Sequence, residues 1–328
     1  MHRLRRSALD RRIADKILSY AAGSANAAEI YLRSSTSSTI EVREQKVDAF
    51  ERSRDAGAGF RVQVGDRMGF AFTNEFADAS LRDLVSRAVE NARHAAPDRF
   101  QTIPDRPSAA YPSVAIFDPA VPALTAEEKI ERVLAMEREA FAVDSRIKRI
   151  RKASASFSVS ETLIVNSRGA EVSYEGTAVS ASIEAVAEDR GEAQAGWEHD
   201  VRRSYRLLDI EGVGRRAARK AVDLLGACAL DSVKAPVILD ATVAEEFLSI
   251  MAGGFSAENV QKKKSLFGGK LGSIVMSPLI TILDDGLLDG GLGTAPSDDE
   301  LVAMRTKTVV DQGRLALFLH NSTTALKD

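Results

Sequence analysis

The feature that most constrains this chain is a change of hydrophobic period near residue 28. Before it, residues 7–23 place Leu9, Ile13, Ile17 and Leu18 on one face at helical spacing, with Gly23 positioned as a C-cap, which predicts an amphipathic helix. After it, Ala28, Ile30 and Leu32 alternate with Glu29, Tyr31 and Arg33, and Ile40 and Val42 alternate with Glu41 and Arg43. Phe60, Val62 and Val64 carry the two-residue period into Gly65-Asp66, a hairpin signal, and 68–72 follows as a returning strand. Successive strand side chains point to opposite faces, so each segment has one face to bury and one to leave in water. Strands that follow one another, rather than alternating with helices, fit an α+β architecture better than a doubly wound sheet.

Later punctuation divides the chain. Residues 77–95 return to helical spacing through Leu81, Leu84, Val85, Ala88 and Val89, and Pro97, Pro104, Pro107 and Pro112 then interrupt a polar stretch. The expected organisation is an N-terminal α/β domain over 1–96, a Pro-rich connection over 97–122, a strand-rich middle α+β domain over 123–234 and a β-rich C-terminal domain over 235–328. In the middle domain Thr125 and Glu128 match a capping box ahead of a helix over 130–143. Extended segments at 154–159, 161–165, 171–174 and 179–187 follow, with a turn at Asn166-Ser167-Arg168-Gly169, and Asp209 caps a basic helix running to Gly226. In the last domain 237–239 reads as a short buried strand, 243–251 as a helix, 279–283 as a strand, and 305–310 with 315–319 as a closing hairpin.

Composition narrows the function classes. Lys and Arg number 44 against 47 Asp and Glu, a net charge of −3, which disfavours a dedicated nucleic-acid binder. Apolar runs such as 315–319 are far shorter than the roughly 20 residues a membrane span needs. The basic start, Met1 to Arg6, precedes no apolar segment of signal-peptide type, so a cytoplasmic location is expected. The single cysteine, Cys228, excludes an internal disulfide framework and is expected as a small buried residue. His2, His94, His199 and His320 form no HExxH helix and read as structural. Asp284, Asp285, Asp289, Asp298, Asp299 and Glu300 carry oxygen ligands, but not at the spacing of a Ca²⁺ loop, and the glycine-rich stretches lack the phosphate-cradling patterns. Lys262, Lys263 and Lys264 read as a solvated loop. Motif chemistry therefore predicts no catalytic set and no cofactor.

The order of segments points to a family instead. Residues 41–71 (EVREQKVDAFERSRDAGAGFRVQVGDRMGFA) resemble the N-terminal signature of TldD/PmbA proteins, a strand and turn leading into a G-x-G-x-R-V element, here Gly57, Gly59, Arg61 and Val62. Asn166, Ser167 and Gly169 resemble the N-S-x-G hairpin of that family's middle domain. Ser265 and Gly272 match the ends of its S-x-x-x-x-x-x-G stretch, and Asp284-Asp285 followed by Asp298-Asp299-Glu300 is similar to its "DD … DDEG" run. Together these motifs span nearly the whole chain in order.

Two departures shape what the resemblance implies. The catalytic branch carries an HExxxH helix upstream of the serine stretch, and counting back from Ser265 without gaps puts its positions at Leu248, Ser249 and Gly253. Leucine cannot ligate zinc, serine cannot replace the carboxylate base, and glycine has no side chain. The resemblance is thus to the PmbA (TldE) branch, and it implies a metal-free, non-catalytic subunit that pairs with a metal-bearing TldD-like paralogue, or self-associates, in a cytoplasmic metallopeptidase complex acting on unfolded or extended peptides. The chain also stops at Asp328, short of where family members continue, and Ser297 and Leu301 stand where the family has Phe and Gly, so the C-terminal domain is expected to be incomplete. Two other classes stay open: a free-standing binding or regulatory protein, in line with the family's label as a modulator of DNA gyrase, and an independent hydrolase using the carboxylates between Asp284 and Glu300.

Overall fold

The structure, a computed structural model, describes residues 9–328. The basic start and the first two residues of the expected 7–23 helix lie outside the described residues. Helix α1 (Arg11–Ala21) begins where the Asp10 side chain accepts from the Arg12 N–H and buries Ala14, Ile17 and Ala21. Strands β1 (Ala27–Arg43), β2 (Lys46–Val64) and β3 (Arg67–Thr73) follow, and helix α2 (Asp78–His94) closes the first module. A short α3 (Ala120–Ala123) leads to α4 (Ala126–Ala142), which starts in a complete Thr125/Glu128 capping box. Strands β4 (Ile147–Asn166), β5 (Glu171–Asp189) and β6 (Glu192–Arg202) and helix α5 (Ile210–Asp223), capped by Asp209, complete a second module of the same order.

The two modules share one antiparallel sheet of order β3-β2-β1-β4-β5-β6. The helix–three strands–helix sequence thus occurs twice and is mirrored about the β1–β4 seam, from Glu29 opposite Asn166 to Val42 opposite Ala153. Matching glycines mark the likeness. A Cβ at Gly69 of β3 would lie 2.0 Å from the Ala88 carbonyl oxygen and 2.4 Å from the Ala92 nitrogen of α2. A Cβ at Gly196 of β6 would lie 2.2 Å from the Ala217 oxygen and 2.4 Å from the Ala221 nitrogen of α5. In both modules the last helix lies on the backbone of the last strand, and glycine facing alanines four residues apart makes that approach possible.

One face of the sheet carries two cores. At one end Ile30, Leu32, Phe60 and Val62 pack against α1 and α2 through Ile17, Leu81, Leu84 and Ala88. At the other end Ile40, Phe157, Val179 and Ile183 pack against α4 and α5 through Val133, Met136, Val213 and Ala217. The fully buried Glu137 of α4 accepts from the backbone N–H groups of Glu44 and Gln45, at 3.0 and 2.7 Å. Those two residues form the β1–β2 turn with φ of +52° and +56°, so the carboxylate satisfies a left-handed turn built without glycine. Across the opposite face runs the 97–118 segment, pinned by Asn166 Nδ2 donating to the Pro104 carbonyl and by Thr177, whose N–H donates to Ile116. Ile103 and Ile116 are buried beneath it.

The third unit comprises α6 (Ala241–Ala252), α7 (Ala257–Gln261), the three-stranded sheet β7 (Ile282–Asp285), β8 (Thr306–Asp311) and β9 (Arg314–Leu315), and α8 (Ser322–Lys327). A small core of Phe255, Val309, Val310 and Leu315 holds it together, with Phe255 and Phe267 stacked 4.7 Å apart.

The α+β expectation holds, and several details change. The short segments expected at 154–165 and 171–187 are each one strand, and β6 was not expected. Residues 237–239 form no strand: Ile238 is 96% exposed, Val237 is exposed too, and no ladder partner reaches them among the described residues. Cys228 is exposed, not buried, because it lies past the end of α5 at Asp223 and the turn through Gly226, where the chain leaves the sheet's cover.

Candidate functional site

Part of the family-motif set, Gly57, Gly59, Arg61, Asn166, Asp298 and Glu300, comes together at the junction of the sheet with the third unit. Arg61 on β2 and Asn166 on β4 both stand opposite Glu29 of β1, so the three form one row across the sheet. Gly57 and Gly59 lie on the same face of β2, opposite Arg33 and Tyr31. Beyond the row, residues 297–302 descend onto this face. Leu301 is buried against Ile164, Ala170 and Val172 and flanked by Tyr31, Tyr111 and Tyr174, and the Tyr111 hydroxyl donates to the Leu301 carbonyl at 2.9 Å. Leu301 holds this place with φ of +61°, a left-handed conformation that costs a leucine energy and persists here because the burial repays it.

The charges at the junction are linked in series. Glu29, only 5% exposed, accepts from Arg61 Nη2 at 2.9 Å, and Arg61 Nη1 donates to Glu300 at 3.2 Å. The other Glu300 oxygen accepts from the Ser322 N–H at 2.8 Å and from its hydroxyl at 2.7 Å. Burial raises the Glu29 carboxyl to about 7, outweighing the pull of Arg61, and the nearby Glu300 and Asp298 charges add to the rise. Burial would also raise Glu300, but the Ser322 donors and Arg61 outweigh it and hold Glu300 below the ordinary value. Asp298 is raised by burial even though its Oδ1 accepts from the Val302 and Glu300 N–H groups, both at 2.9 Å. The Ser322 hydroxyl and N–H both serve to anchor Glu300, and Arg61 ties Glu300 to Glu29, so the arrangement binds chain segments to one another.

The remaining motif residues have local tasks. Asn166 Oδ1 accepts from the Arg168 and Ala170 N–H groups and Ser167 Oγ from the Ala28 N–H, which shapes the hairpin ending at Gly169, where φ is +83°. Ser265 Oγ donates to the Gly254 carbonyl at 2.5 Å, and Gly272 donates to Leu315 at 2.8 Å. Asp284 pairs with Lys307 at 2.7 Å, and Asp285 accepts from the Thr306 hydroxyl at 2.7 Å. These carboxylates brace β7 against β8, whereas Asp298 and Glu300 serve the junction. A joint hydrolytic set from Asp284 to Glu300 gains no geometric support from these partners.

The positions counted as the degenerate metal site fall on α6. Leu248 and Ser249 belong to that helix and Gly253 is its C-cap. These residues offer no ligand set for the metal that the catalytic branch carries, and among the described residues no group of three or more His, Cys, Asp or Glu side chains is placed to hold a metal ion. His94 reaches Glu90, His199 stacks on Trp197 and His320 lies 3.9 Å from Asp328, three separate places. Helix α6 buries none of its residues: Phe247 is 55% exposed and Ile250 80%, and Leu230, Val233 and Val237 extend the apolar surface beside it in sequence. Sequence reasoning missed Glu29 and Ser322. A glutamate at an odd position of an alternating strand reads as solvent-facing, and the neighbours that meet it here, Arg61, Tyr111 and the 297–302 loop, are distant in sequence.

Comparison with known proteins agrees with the segment order. Profiles of the PmbA/TldA metallopeptidase domain 1, central domain and C-terminal domain match residues 28–92, 119–225 and 232–328. The chain is 26% identical over 313 residues to the metalloprotease PmbA of Escherichia coli O157:H7, covering 94% of this chain and 69% of that protein. It is 29% identical over 286 residues to a metalloprotease TldD homologue of Haemophilus influenzae, of which it spans 58%. Among solved structures it superposes with a TM-score of 0.87 on a Thermotoga maritima protein described as a candidate modulator of a DNA gyrase, at 24% identity over 97% of this chain and 72% of that one. TldE from Thermococcus kodakarensis gives a TM-score of 0.81 at 19% identity, over 96% of this chain and 71% of that one. No helix among the described residues is long and apolar enough to cross a membrane. The three consecutive domain matches and this shared fold lead to one conclusion: the chain belongs to the TldD/PmbA family.

Proposed function

We propose that the chain is a non-catalytic, PmbA/TldE-like subunit of a cytoplasmic metallopeptidase complex that acts on unfolded or extended peptides, and that it works beside a metal-bearing TldD-like paralogue. One observation carries this reading: the helix counted as the metal helix, α6, has Leu248 and Ser249 at the ligand and base positions and glycine as its C-cap. A zinc centre needs three or four N, S or O donors, and a hydrolytic one needs a base for its water. Leu248, Ser249 and Gly253 supply neither. The apolar side chains that α6 exposes add support, because such surface is costly to leave in water and is commonly covered by another protein.

Metal analysis of the purified chain is expected to find well under about 0.1 zinc per chain after dialysis, and the chain alone is expected to leave an unstructured peptide uncleaved. Close to one tightly held zinc, or hydrolysis that a chelator abolishes, would overturn the proposal.

A further inference from the structure

The junction of Glu29, Arg61 and Glu300 has charge left over. A cation sits between two carboxylates, and one oxygen of the buried pair is unaccounted for: Glu29 Oε2 is buried without a hydrogen-bond partner, as is Arg61 Nε. A buried carboxylate oxygen with no donor is costly, and buried charges are usually paired and fully hydrogen-bonded. Oε1 is engaged by Arg61, so Oε2 is the atom that carries a proton when the group is neutral.

We propose that Glu29 is the proton-controlled element of a latch fastening the third unit to the sheet: protonated Glu29 closes the latch, and its ionisation releases the 297–302 loop together with the start of α8.

The geometry supplies both states. With Glu29 neutral, Arg61 and Glu300 form a balanced ion pair, and Glu300 is anchored by Ser322 at the first turn of α8. Residues facing Glu29 come from every element packed at the junction: Arg61 from β2, the neutral Asn166 from β4, Asp298 and Glu300 from the loop, and Tyr111 from the 97–118 segment. Tyr31 follows on Glu29's own strand and face, while Asp299 and Arg106 act on Asp298 and Tyr111. Arg61 is the cation that acts on Glu29, and Glu300 already shares it. Ionising Glu29 therefore adds a negative charge that repels Asp298 and Glu300, both on the loop that holds Leu301 in its left-handed conformation. The loop is the element that gives way, because β1 is hydrogen-bonded on both sides and the loop is not.

The sign follows from linkage. The closed state binds the proton more tightly than the open one, so opening increases as pH rises from the ordinary carboxylate value of 4.5 towards about 7 and flattens above it. Amide hydrogen exchange of the full chain between pH 5 and 8, corrected for the intrinsic exchange rate, measures this directly. Peptides covering residues 297–302 and 322–327 should open on the order of tenfold more per pH unit between pH 5 and about 7, and level off above it. The core strand amides of Val309 and Val310 should show no such trend. In Glu29→Gln, which is neutral at every pH, the trend should vanish. Identical pH dependence in the variant and the wild type, or a flat wild-type profile, would overturn the latch. Carboxyl NMR of the wild-type chain decides independently of any variant: a Glu29 midpoint near 7 supports the latch, and one near 4.5 refutes it.

Discussion

Gly196→Ala is expected to destabilise the chain by about 3 kcal/mol, with a matching loss for Gly69→Ala. The added methyl group would sit 2.2 Å from a carbonyl oxygen and 2.4 Å from an amide nitrogen of α5, and both are helix backbone that cannot rotate away. Relief requires α5 to lift from β6, which opens the core formed by Val213, Ala217 and Ala221. Gly57→Ala is the control. Its Cβ would meet only the Thr73 carbonyl at 3.4 Å, an ordinary contact, so a change below about 1 kcal/mol is expected. Urea unfolding of the three variants measures the difference, and a Gly196→Ala protein as stable as Gly57→Ala would mean that helix and strand do not touch as described.

Arg61→Met should cost about 3–5 kcal/mol, the range for removing one partner from a buried ionic cluster. Two carboxylates then face each other without the cation: Glu29, 5% exposed, and Glu300, whose other oxygen is committed to Ser322. The pH dependence is part of the prediction. Without the guanidinium that opposes its rise, Glu29 takes up a proton still more readily in the folded state than in the unfolded one, so stability falls as pH rises. The deficit should be smaller at pH 5, where Glu29 is already protonated, and larger above 7. Arg168→Met, which breaks the exposed pair with Asp105, should change stability by less than about 1 kcal/mol at either pH. Equal effects of the two substitutions would show that the junction carries no buried charge.

The sequence reveals the helices more fully than the strands, for a physical reason. A helix announces itself locally, through its period and its caps: Asp10, Thr125, Asp209 and Asp240 each accept from a backbone N–H at a helix start. A strand's continuity is conferred by its neighbours. Residues 34–39 of β1 carry hydroxyls on both faces and show no alternation, yet they remain extended because β2 and β4 flank them throughout. Strand β6, charged and at the sheet edge, gave no apolar period for the same reason. The apolar 237–239 stretch shows the converse, since propensity without a ladder partner yields no strand. At the junction Arg61, Asn166 and Glu300 could be singled out by resemblance, because their motifs stand at fixed places in the chain. That they converge could not be read, since Arg61 and Glu300 lie 239 residues apart. Glu29 was invisible because its burial depends on that convergence.

The central claim, that this chain is the metal-free half of a peptidase, is tested most directly by co-expression with a paralogue that bears an intact HExxxH helix. The two chains are passed together through size-exclusion chromatography, and zinc and peptide hydrolysis are measured in every fraction. The account predicts that this chain co-elutes with the paralogue, that zinc follows the paralogue's stoichiometry, and that hydrolysis is confined to the shared peak. A chain that stays strictly monomeric at high concentration, never co-elutes, and leaves the paralogue fully active alone would contradict it.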